Sequence, residues 1–120
     1  MLYLASAFAL NMLPGNARLS ADTFGADHFT PAMGQYLSER GVVSVVGHDS
    51  TAAILSRKLG IDVPVNRAAI KLNYGDSVYV AQLGIRLNEG QVLTEEELAN
   101  VPMSLWVVTV MRGATSGEEV

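Results

Sequence analysis

The sequence predicts an α/β domain with a mixed sheet of about five strands flanked by helices. Three observations carry that expectation. Apolar runs suited to strands recur at residues 2–8, 42–46, 77–83 and 105–111. Helix-start signals separate them, at Thr30-Pro31, Asp49-Ser50 and Thr94. Apolar residues make up 49% of the 120, enough for one core.

Residues 2–8 read as a buried first strand, and 11–16, with Pro14 and Gly15, as a turn. Residues 17–24 fit an irregular strand or a loop. Thr30 caps a helix that runs to about Arg40. Pro31 suits its first position, where a missing N–H costs nothing, and Gly41 ends it. The valines of 42–46 predict a second strand buried on both faces.

Asp49 or Ser50 then caps a helix over 51–59, which Gly60 stops. Residues 61–66 form a connection containing Pro64. Residues 67–72 and 77–83 read as two strands joined by a hairpin turn at 73–76. Thr94 caps a short helix whose first turn carries Glu95, Glu96 and Glu97, where negative charge suits the dipole. Residues 105–111 are the last strand. Residues 1–112 thus form one domain, with 113–120 a flexible polar tail.

Composition narrows the function classes. The net charge of −4 excludes a broad duplex nucleic-acid surface, which needs a basic stripe, but allows an anionic ligand in a small pocket. There is no cysteine, so disulfides and thiolate chemistry are excluded. The two histidines, His28 and His48, lack metal-ligand spacing, and no metal or cofactor is expected unless carboxylates bind a magnesium ion. No basic residue precedes Arg18 and the apolar start is short, so neither a signal peptide nor a membrane span is expected; the reading is cytoplasmic. Charged residues are 17%, against a usual share of about 25%, which suggests that part of the surface is covered by a partner in a homo-oligomer.

The chemistry-bearing feature is Gly47-His48-Asp49-Ser50-Thr51, between a strand and a helix. Free N–H groups at a helix start attract a phosphate, and an imidazole beside them can give it a proton. The plainer reading is a local cap. Arg86-Leu87-Asn88-Glu89-Gly90 follows a strand end. Arg86 suits a phosphate clamp and Glu89 an orienting group; the plainer reading is a surface turn with an ion pair. Gln82 lies inside an apolar strand and needs a partner there, unless the strand lies at an edge or has a polar face. Asn11 reads most simply as a turn residue, and Asn66-Arg67 precedes a strand.

Taken in order, several motifs coincide: Tyr3-Leu4-Ala5 with Ala7-Phe8, Asn11-Met12-Leu13, the pentapeptide above, Asn66-Arg67 with Ile70-Lys71-Leu72, Tyr79-Val80 with Gln82, Arg86-Leu87, Glu89-Gly90 and Leu93-Thr94. This order resembles the viral type III anti-CRISPR ring nucleases and their cellular relatives, over about residues 2–112. The resemblance implies a homodimeric, metal-independent enzyme that binds cyclic tetra-adenylate across its dimer interface and cleaves it. It implies His48 as the acid for the 5′-oxygen, with Arg86 and Glu89 positioning phosphate and ribose. Ligand contacts are implied for Ser6, Asn11, Asp49, Ser50, Thr51, Arg67 and Gln82. The sequence departs from the family pattern at Ala9, which cannot hydrogen-bond where many members carry a polar side chain. A non-cleaving sponge or sensor for the ring is the alternative, and a protein-interaction role a third.

Overall fold

Five strands assemble in the order β2-β5-β4-β1-β3 in the computed structural model, which describes residues 1–88 and 90–112. They are β1 (Leu2–Ala5), β2 (Ala17–Thr23), β3 (Val43–Ser44), β4 (Ser77–Leu83) and β5 (Met103–Arg112). β1 runs parallel to β3 and β4, while β5 runs antiparallel to β4 and β2. The mixed sheet expected from the sequence is therefore present. Parallel neighbours need long crossovers. Helix α1 (Pro31–Glu39) lies in the first, β1 to β3, and helix α2 (Asp49–Leu59) in the second, β3 to β4; a short α3 (Glu95–Ala99) precedes β5.

Local chemistry sets the helix ends. The Thr30 hydroxyl accepts the Met33 N–H at 3.3 Å with Pro31 in the first turn. Thr94 and Glu97 exchange side-chain and backbone hydrogen bonds of 3.1 and 2.8 Å in a capping box. Gly60 takes φ 69° to end α2. Gly34 allows α1 to meet α2: a Cβ there would stand 1.8 Å from the Leu59 carbonyl oxygen.

The helices share one face of the sheet. Leu37, Leu55, Leu59 and Leu98 pack there with Leu4, Tyr79, Ala81 and Leu105. On the other face Leu72, Phe8, Met12 and Ile70 pack with Ala5, Val78, Val80, Val108 and Val110. Each fully buried side chain of this kind stabilises by roughly 1.5–3 kcal/mol. Between α2 and β4 the chain rounds the β3 edge. Ser44 Oγ donates to the Pro64 carbonyl at 2.7 Å, the Asn66 N–H to Val46 at 2.8 Å, and Asn66 Nδ2 to Ser44 at 2.9 Å. The chain then crosses the face opposite the α-helices, where the Leu72 N–H donates to the Met12 carbonyl at 2.7 Å.

Several expectations are corrected. The valine run 42–46 is not a strand buried on both faces: only Val43–Ser44 pairs, at the sheet edge, because residues 64–66 take the outer hydrogen bonds of this segment. Residues 67–72 form no strand, so there is no hairpin. The turn at 73–76 does form, with the Asn73 N–H donating to the Asp76 carboxylate at 2.8 Å. β4 instead pairs with β1 and β5, since apolar Ile70 and Leu72 are buried against the sheet face rather than within the sheet. β1 stops at Ala5, whereas residues 17–23 form a fully regular strand. The tail 113–120 lies outside the described residues.

Candidate functional site

Parallel strands end on the same side, and the chain reverses its direction across the sheet around β1: β3 lies on one flank and β4 on the other. Crevices beyond the carboxyl ends of such strands are where open α/β sheets hold ligands. Ser6 follows β1, His48 lies beyond β3, and Arg86 lies beyond β4. All three line one open cleft of about 650 Å³, together with Thr51, Leu83, Leu87 and Asn88.

His48 occupies the N-cap position of α2 in extended conformation (φ −128°, ψ 125°). The expected cap by Asp49 or Ser50 is overturned: the helix begins at Asp49, and no side chain caps it. Ser50 is drawn inward, because its hydroxyl has a better partner further along the chain. The first-turn N–H groups therefore keep their capacity for an anion. His48 Nδ1 is buried and has no hydrogen-bond partner among the described residues. His28 Nδ1 is likewise buried and lacks a hydrogen-bond partner among the described residues, but only His48 lines the cleft.

Helix α2 also holds the loop that carries Arg86. Ser50 Oγ donates to the Asn88 carbonyl at 2.9 Å. The same carbonyl accepts the Gln91 N–H at 3.0 Å, and Gln91 Oε1 accepts the Asn88 N–H at 3.0 Å. Lower on the helix, Arg57 donates to the Leu93 carbonyl at 2.8 Å and to Glu95 at 2.7 Å. Arg86 is exposed at the cleft and makes no ion pair among the described residues. Its position therefore depends on the backbone tethers of this loop to α2.

The structure gathers Ser6, His48, Thr51 and Arg86, but not every residue named from the sequence. Ser50 is 3% exposed, with its hydroxyl occupied by Asn88. Asp49 is exposed beside the cleft wall. Arg67 packs against the residue before His48: a Cβ on Gly47 would meet Arg67 Cγ at 3.4 Å. Gln82 pairs with Ser104 on β5 and is exposed, and Asn11 offers its carbonyl to Lys71 Nζ at 2.6 Å. Neither lines the cleft. Glu89 lies outside the described residues. Sequence reading missed Asn88 and Arg57 as the fasteners of the loop. Asn88 stood inside the singled-out Arg86-to-Gly90 block, whereas nothing local marked Arg57. Among the described residues no group of three acidic or histidine side chains is placed to hold a metal ion.

A family model described as STIV B116-like matches residues 2–105. The chain belongs to that family. Among relatives of this B116-like protein, uncharacterized protein 26 of Sulfolobus islandicus filamentous virus (isolate Iceland/Hveragerdi) is 32% identical over 113 residues, 92% of each chain. Uncharacterized protein ORF117 of Acidianus two-tailed virus is 33% identical over 109 residues, 90% of this chain and 92% of that one. The solved structure of B116 of Sulfolobus turreted icosahedral virus superposes with a TM-score of 0.76 at 26% identity, covering 90% of this chain and 97% of the other.

Proposed function

We propose that this B116-like protein is a metal-independent ring nuclease that cleaves cyclic tetra-adenylate and so ends type III CRISPR signalling. The observation that carries the reading is His48 at the uncapped start of α2, in one cleft with Arg86. RNA brings its own nucleophile, so alignment, charge neutralisation and one acid are enough. The ribose 2′-oxygen attacks the adjacent phosphorus and its proton passes to water. The P–O5′ bond breaks as His48 protonates O5′. The α2 N–H groups and Arg86 hold the phosphate charge. The products are linear adenylates with a 2′,3′-cyclic phosphate and a 5′-hydroxyl.

The protein acts as a homodimer in this proposal, because a four-fold repeated ring offers the same face to two symmetric clefts. Its partners are the ring and its own second copy, with neither duplex nucleic acid nor a membrane. Among the described residues no helix is long and apolar enough to cross a membrane. A cytoplasmic location follows from the substrate.

Ala9 favours a second reading, a sponge that binds the ring without cutting it. It precedes a 3-10 turn, Leu10–Met12, and is exposed, with no polar side chain to offer the ligand. Incubating labelled cyclic tetra- and hexa-adenylate with the protein in EDTA separates the two. The enzyme reading expects 2′,3′-cyclic phosphate products from the tetramer, and none with His48→Ala. Intact ring after many hours at protein excess would favour the sponge.

A further inference from the structure

We propose that the groove between α1 and the sheet is a second binding site, which holds a nucleoside monophosphate by its base and its phosphate at once. Two pockets make up the groove, of about 500 and 440 Å³. Tyr36 of α1 and Tyr79 of β4 line both, so the pockets adjoin at these two rings. Each is of a size usual for small-molecule sites. The cleft that holds His48 and Arg86 shares no residue with either. The groove therefore does not rest on ring cleavage.

The larger pocket is aromatic. Phe24 stacks with Tyr79, their ring centres 6.5 Å apart and their planes 15° apart. It also meets the His28 ring at 5.1 Å. Phe24 and Tyr36 are 37% and 41% exposed, two of four exposed aromatic residues among the described ones. Rings left facing water in a concave pocket suit a planar base, which stacks on them whatever its sequence identity. Asp27, at the rim of this pocket, can accept a hydrogen bond from an exocyclic amine. Its carboxylate stands 3.4 Å from His28 Nδ1, an ion pair only when the imidazole is protonated.

The smaller pocket is polar and holds a cation. The Arg40 guanidinium lies 4.8 Å from the centre of the Tyr36 ring. It makes no ion pair among the described residues, and Glu39 beside it accepts from Gln35 instead. A guanidinium held flat against a ring keeps its edge for a phosphate. In the same pocket Ser77 Oγ and Thr109 Oγ1 share one hydrogen bond of 3.1 Å, which leaves one hydroxyl proton to give. Met33, Tyr36 and Arg40 follow one another along α1 over roughly 10 Å, so base and phosphate are read along one helix.

The test uses the two histidines of the chain as reporters, His28 in the groove and His48 in the cleft. Their imidazole C2 protons are followed by NMR on the full chain as adenosine 5′-monophosphate is added. Signals are assigned with His28→Gln and His48→Ala. The His28 signal should shift to saturation, and equally so in the His48→Ala protein. Arg40→Gln should weaken this binding about tenfold or more. Adenosine should bind the wild type more weakly than the monophosphate does, and Arg40→Gln should not change its affinity. Tyr36→Leu should weaken both ligands about tenfold. Circular dichroism checks that both variants fold, and ring cleavage should be unchanged in each. A shift of the His48 signal alone, or of neither signal at millimolar nucleotide, would overturn the proposal. So would folded Arg40→Gln and Tyr36→Leu proteins that bind as the wild type does, or adenosine that binds as tightly as its monophosphate. A chain that cleaves no ring but shows the His28 shift would sink the nuclease reading and leave this site standing.

Discussion

The two ends of the parallel strands make an instructive pair. At the amino ends of β1 and β4, polar groups satisfy one another. The Asp76 carboxylate is buried, accepts the Met1 ammonium at 3.0 Å and the Asn73 N–H at 2.8 Å, and closes the turn. At the carboxyl ends, Ser6, His48 and Arg86 converge on a cleft. There the helix start is uncapped, and the imidazole Nδ1 has no partner among the described residues. Both ends belong to one sheet. The difference is satisfaction: paired groups hold the fold at one end, and the unpaired ones at the other carry the proposed function.

That contrast can be broken by substitution, and the largest effect is expected at His48. His48→Ala should lower cleavage of cyclic tetra-adenylate by about 10²–10⁴-fold, the usual worth of a positioned proton donor. Its melting temperature should stay near the wild-type value, as no bond of the fold is lost. Asp76→Ala should do the reverse. It strands the Asn73 N–H and removes the ion pair with Met1, costing about 1–3 kcal/mol in denaturant unfolding, with cleavage by the folded protein unchanged.

Ser50→Ala sharpens the comparison, because this serine belongs to the fold yet serves the cleft. Loss of its bond to Asn88 should cost about 1 kcal/mol. The freed loop should lower the cleavage rate several-fold, with Arg86 less well held. The smallest effect is expected at Tyr79, on the helix side of β4. Burial and the neighbouring Tyr36 hydroxyl push its phenol above the ordinary value near 10. The unfolded chain then ionises first. The stability Tyr79 contributes is whole below that pH and falls as pH rises through the folded value. Tyr79→Phe should flatten the alkaline limb of a plot of stability against pH. An unchanged slope would mean that another group causes it.

Much of this was legible in the sequence because its signals are local. Thr30-Pro31, Thr94 with Glu97, and Gly60 each fix a helix end through their own hydrogen bonds or dihedral angles. The valine run 42–46 misled, because β-branched residues suit any pleated, half-buried segment, an edge included. Residues 67–72 misled for the same reason: Ile70 and Leu72 needed burial, and a sheet face provided it as well as a strand would. At the site, His48 and Arg86 were readable from strand ends, while their meeting depends on strand order. Sequence order places β3 and β4 next to each other; the sheet inserts β1 between them. The tether from Ser50 to Asn88 spans 38 positions, and no local pattern announces it.

The central claim is that His48 donates the proton to the departing 5′-oxygen. The most direct test replaces that oxygen by sulfur in cyclic tetra-adenylate, since a thiolate leaves without an acid. In single-turnover reactions with EDTA, His48→Ala should cut the sulfur-bridged ring at close to the wild-type rate while failing on the oxygen ring. Equal impairment on both rings would contradict the account and assign His48 another role.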